Sequence, residues 1–77
     1  MLYRFNLLSD GSPLPDEEGI ELPNLETACF RAMRIAREII GEEAKIGMIP
    51  LGWSIEIADD AGTVVATTIF ADVVTIY

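Results

Sequence analysis

Residues 24–40, NLETACFRAMRIAREII, decide the fold. Leu25, Ala28, Cys29, Ala32, Ile35, Ala36, Ile39 and Ile40 recur at steps of three and four, which lines them along one stripe of an α-helix, with Met33 at its margin. Asn24 stands where its side-chain oxygen can accept from the orphaned amides of the first turn, and Glu26 sits in that turn's positive field. Ala28, Ala32 and Ala36 run down the middle of the stripe, so this helix can lie close against a sheet. It either frays at Gly41 or runs one more turn to Lys45. The longer form brings Glu43 into line with the stripe and must therefore overhang solvent.

Outward from the helix, both flanks read as strands. Leu2–Leu8 places Tyr3, Phe5 and Leu7 on one face and Arg4 and Asn6 on the other. Ser9-Asp10-Gly11-Ser12 breaks that strand, and Pro13 and Pro15 predict an irregular connection. Ile20 and Leu22 then alternate with Gly19 and Glu21 as a short second strand, paired with the first in a loose hairpin. Beyond Gly47 and Pro50, Trp53–Ile57 alternates, and Asp59-Asp60-Ala61-Gly62 suits a type I turn closed by a left-handed glycine. A regular hairpin through that turn puts Trp53, Ile55 and Ile57 on one face with Val65, Thr67 and Ile69. The other face then carries Ser54, Glu56 and Ala58 with Val64, Ala66, Thr68 and Phe70. Residues 73–77 have strand-like composition but too little length to assign. The expected fold is α+β in the order β-β-α-β-β: one domain spanning 1–77, with a four-stranded antiparallel sheet and one helix on one of its faces.

Composition narrows the chemistry. Seventy-seven residues make a small core. One cysteine and no histidine leave neither an internal disulfide nor a zinc quartet. An unpaired thiol fits a reducing compartment. Thirteen acids against five bases give a net charge of −8, which repels nucleic-acid backbones and anionic membranes alike. No apolar run approaches the roughly 18–20 residues of a membrane span, and MLYRFNLLSDG lacks the pattern of a signal peptide. The expectation is a soluble cytoplasmic protein without cofactors. Its apolar fraction of 51% leans toward self-association, with a homodimer as the first form.

Few residues are placed for catalysis or ligation. Asp16-Glu17-Glu18 is the densest acidic stretch, but consecutive side chains of an extended segment point in opposite directions, and a hard cation needs oxygens at set spacings. The stretch reads as a solvated approach to a strand, with Gly19 chosen for its backbone freedom. Cation binding there, or a carboxylate-dependent enzyme, is the distant alternative. Cys29 lies mid-stripe, where burial makes it an inert core residue. An enzyme is not expected.

Two surfaces read as candidate interfaces. The uncovered sheet face gathers Leu2, Leu8, Val64, Ala66 and Phe70, and a two-fold dimer through that face or through an edge strand would cover it. The helix's outer face carries Phe30, Arg31, Arg34 and Arg37, a basic and aromatic cluster on an acidic molecule. Arg34 is within reach of both the Phe30 ring and Glu38. A different use of the charge is an acidic, antitoxin-like regulator that masks a basic protein partner.

YRFNLLSDG, DEEGIELPNLETA, the alanine–isoleucine helix and WSIEIADDAGTVV together resemble a small uncharacterised bacterial family. Its members share an aromatic first strand ending in Asp-Gly, a DEEGxELPxLExA-like segment and a VxDxxG-type hairpin. Asn6 departs from the histidine or aspartate frequent in that family, and Asn24 from its usual aspartate. The resemblance implies no catalytic, cofactor or metal residue.

Overall fold

The computed structural model describes all residues, 1–77. The elements in order are β1 (Leu2–Ser9), β2 (Ser12–Leu14), β3 (Ile20–Glu21), α1 (Leu25–Lys45), β4 (Ser54–Ala58) and β5 (Val64–Ile69), followed by a 3-10 turn, Phe70–Val73. They form one α+β unit. The antiparallel sheet has the order β2-β1-β4-β5, with β3 also paired to β1. Residues 74–77 add no strand.

α1 forms as its periodicity predicts. The Asn24 side-chain oxygen accepts from the Thr27 amide at 2.9 Å and from the Thr27 hydroxyl at 2.8 Å. Gly41 does not end the helix. It runs to Lys45, where Ile46 and Met48 donate to the Glu43 carbonyl and Gly47 donates to Ala44. Gly47, at φ 86°, supplies the left-handed residue that such an ending requires. Ala28, Ala32 and Ala36 are fully buried and let α1 pack over β4, β5 and the 3-10 turn. Tyr3, Phe5, Leu22, Ile40, Ile55, Ile57, Phe70 and Val73 complete the core.

The expected second strand forms as β3, but the connection before it, expected to be irregular, holds a further strand, β2. Asp10 (φ 51°) and Gly11 (φ 79°) make a two-residue turn with both φ values positive, as a type I′ hairpin needs. The pairs Ser9–Ser12, Leu8–Pro13 and Leu7–Leu14 follow from it. Pro13 does not prevent pairing, because next to the hydrogen-bonded Ser9–Ser12 pair its missing N–H faces outward on an edge strand. The chain then leaves β1 and returns as β3, pairing Tyr3 with Ile20 and Leu2 with Glu21.

The second hairpin turns where expected. Gly62 donates to the Asp59 carbonyl, and the Asp59 side chain accepts from Ala61 and Thr63. Ala58 pairs with Val64, but Ile57 then pairs with Ala66, so Val65 is an extra residue bulged out of β5. A one-residue shift exchanges the faces of everything beyond it. Ala66, Thr68 and Phe70 therefore join the helix side, whereas Thr67 and Ile69 join the open face. This corrects the placement of Ala66 and Phe70 on the uncovered face. The physical reason is Phe70: fully buried, with its ring 6.1 Å from Trp53, it gains about 1.5–3 kcal/mol that an exposed phenylalanine would forgo.

Candidate functional site

The acidic stretch is a structural joint. Between β2 and β3, the outward-pointing Phe5 amide of β1 has no strand opposite it. Asp16 fills the gap: one carboxylate oxygen accepts from the Phe5 amide at 3.2 Å, and the other from Glu18 and Gly19 at 3.2 and 3.1 Å. The Asp16 amide in turn donates to the Asn6 side chain at 2.8 Å. Burial alone would push the Asp16 carboxyl up. The amides of Gly19, Phe5 and Glu18, with the Arg4 guanidinium nearby, outweigh it and hold the pKa below its ordinary 3.8. Glu17 and Glu18 are exposed, and no three acidic or thiol groups of the chain converge as metal ligands. Gly19 is required for a second reason besides its φ of 77°: an added Cβ would meet the Leu2 side chain at 2.9 Å and the Tyr3 carbonyl at 3.0 Å.

The opposite side of the sheet ends in β5, VVATTI, with no charge and no proline. The Phe70 amide donates to the Trp53 carbonyl, which sets the phase of the ladder. Residues 66, 68 and 70 bond inward to β4, and the backbone groups of Thr67 and Ile69 point away from it. No backbone or side-chain hydrogen bond within the chain reaches them. Of the sequence-predicted face residues, Leu2 and Leu8 are half-buried on β1 and Val64 is exposed on β5. Ser54 and Glu56 of β4 separate the two groups, so the face is not one apolar patch. Thr67 and Ile69 enter this surface through the bulge, which no residue of β5 announces.

On the outer helix face, Phe30 is 65% exposed and Arg34 is exposed beside it, while Arg31 is half-buried. The two arginines form a ridge between a groove of about 400 Å³ toward Asn24 and Thr27 and one of about 360 Å³ toward Ile20 and Ile35. Arg34 makes no ion pair with Glu38, since the chain's salt bridges are Met1–Glu21 and Lys45–Glu42. Nor does it lie on Phe30, as the one aromatic contact is Trp53–Phe70. Arg37 leaves the cluster. Its Nε donates to the Val73 carbonyl at 2.9 Å and ties the 3-10 turn to the helix, while the residue remains exposed.

Two surfaces escape a reading of the sequence by elements. One is the α1–β4 loop, where Ile46, Met48 and Ile49 are all exposed; the apolar run IGMI, off the helical stripe, was its signal. The other is a cleft of about 480 Å³ between the C-terminal half of α1 and the β1–β2 hairpin.

A family model described as Domain of unknown function (DUF6894) matches residues 2–71, from the first strand into the Phe70 turn. The chain belongs to that family. The DUF6894 match takes in every strand and the whole of α1, together with the Asp16 joint. No curated protein and no solved structure matches the chain. No helix of this DUF6894 domain is long and apolar enough to cross a membrane.

Proposed function

We propose that this domain is a non-catalytic protein–protein interaction module of the cytoplasm that forms homodimers through the outer edge of β5. The observation that carries the reading is the character of that edge: six residues long, β-branched except at Ala66, uncharged and unpaired on its outer side, with Thr67 and Ile69 presenting free backbone groups. An edge of this kind is a template for another strand. Antiparallel pairing of two β5 strands about a two-fold axis would continue one sheet through both copies. Ile69 and Val64, 45% and 47% exposed, lie where such a pairing would cover them. The non-catalytic part is supported by Asp16, whose carboxylate is engaged by three backbone amides, and by Cys29, packed against the core.

Light scattering across a concentration series tests the dimer. The unmodified protein is expected to be dimeric, and Thr67→Lys/Ile69→Lys monomeric with unchanged circular dichroism, because edge lysines oppose strand addition. A strictly monomeric parent at high micromolar concentration overturns the reading. A second function, an acidic regulator that masks a basic partner, is favoured by the glutamate-rimmed cleft on the other side of the molecule.

A further inference from the structure

The cleft beside α1 exists because the helix covers the wrong half of the sheet to fill it. α1 packs on β4, β5 and the 3-10 turn, whereas Leu7 and Leu14 pair at the far edge of the same sheet face. Leu14 is left 59% exposed. Leu7, Leu14, Ile39 and Trp53 form the apolar walls, and Glu38, Glu42 and Glu43 stand at the rim. The volume, about 480 Å³, is within the range of about 300–1,000 Å³ of sites that bind ligands.

The lining restricts the occupant. An anionic ligand is repelled by three carboxylates, by the net charge of −8 and by the negative end of the α1 dipole. A bare cation gains nothing from apolar walls, and the rim glutamates do not converge into a metal cage. A neutral apolar ligand leaves the rim unused. Only one rim carboxylate has a partner of its own: Glu42 meets Lys45 at 3.1 Å, with both side chains over 70% exposed, a pairing worth little. Glu38 and Glu42 lie one helical turn apart, which matches basic side chains one turn apart on a partner helix.

We propose that this cleft docks a basic amphipathic helix of a partner protein, with apolar side chains seated against Trp53, Leu7, Leu14 and Ile39 and lysines or arginines reaching Glu38, Glu42 and Glu43. It locates the masking of a basic partner on the molecule and is independent of the β5 edge.

Trp53 is the only tryptophan, so its emission reports the cleft directly. The probe is a synthetic leucine–lysine amphipathic helix of about 18 residues, with a leucine–glutamate twin as its charge-reversed control. Titrated into the parent and into the monomeric Thr67→Lys/Ile69→Lys variant, the basic peptide is expected to give the same saturable change in emission, weakened by salt, and the acidic twin none. Glu38→Gln/Glu42→Gln/Glu43→Gln should weaken binding about tenfold or more, while Glu17→Gln/Glu18→Gln/Glu26→Gln, of equal net charge, stays within about twofold. Leu14→Ser should weaken it without altering the salt dependence. No saturable change, or equal losses in the two glutamine triples, overturns the proposal. So does a change in oligomeric state caused by the cleft substitutions, which would make a second copy the occupant. Failure of the dimer alone leaves the peptide titration of the monomer intact.

Discussion

The two edges of the sheet are built in opposite ways. On the β2–β3 side the edge is short, carries Pro13, and is interrupted opposite Phe5, where Asp16 supplies a carboxylate in place of a strand. On the β5 side six uncharged residues carry neither a proline nor a plug, and the bulge at Val65 is the one irregularity. Proteins blunt edges that must not pair. Here one edge is blunted by a proline and a side-chain plug while the other carries neither, and the β2 side frames a cleft. The lesson is that the most suggestive acidic residue of the chain, Asp16, closes an edge of the sheet.

Substitutions that open the closed edge test this contrast hardest. Gly19→Ala forces a left-handed alanine and a Cβ into the Leu2 side chain and the Tyr3 carbonyl. A loss of roughly 2–3 kcal/mol is expected in chemical denaturation, the sum of backbone strain and local displacement. Asp16→Ala leaves the Phe5, Glu18 and Gly19 amides without their acceptor and should cost about 2 kcal/mol, moderated by partial exposure. It should also raise aggregation, as β1 acquires an exposed donor. Asn6→Ala, which removes only the acceptor for the Asp16 amide, should cost about 1 kcal/mol.

Acid provides a graded version of the same experiment. The folded-state pKa of Asp16 lies below its ordinary 3.8, so the unfolded chain takes up the proton first as pH falls. The stabilisation is complete above 3.8 and is lost as pH drops through the folded pKa. Melting temperature measured from pH 5 downward should fall in that window for the parent, and Asp16→Asn should flatten this part of the curve. The smallest effect on stability belongs to the open edge: Thr67→Lys/Ile69→Lys should change monomer stability by no more than about 0.5 kcal/mol while removing the proposed dimer. If the lysines instead destabilise the monomer as much as Asp16→Ala does, the two edges are not different in kind.

The helix was legible to the residue at its start, because Asn24 carries its own capping chemistry and the alanine–isoleucine stripe has only one period. The turn at Asp59–Gly62 was legible for the same local reason. Asp10-Gly11 carried an equally local hairpin signal, but Pro13 masked it; a proline excludes a central strand and is harmless on an edge. The open surface was half legible. Leu2, Leu8 and Val64 were placed on it, while Ala66 and Phe70 were exchanged for Thr67 and Ile69 by a bulge at Val65. The run from Val64 to Phe70 alternates acceptably in either phase, so nothing within it selects a register.

By itself, then, the sequence determined one helix, its N-cap, the alternation of β1 and β4 and the α+β class, all set by interactions between residues a few positions apart. Tertiary structure decided the bulge, the edge pairing of Ser12–Leu14 ahead of Asp16, the tie from Arg37 to Val73 and the cleft at Trp53. Each of these depends on competition between distant groups for one space, as when Phe70 claims the interior against Trp53, and such a contest has no period for a linear pattern to show.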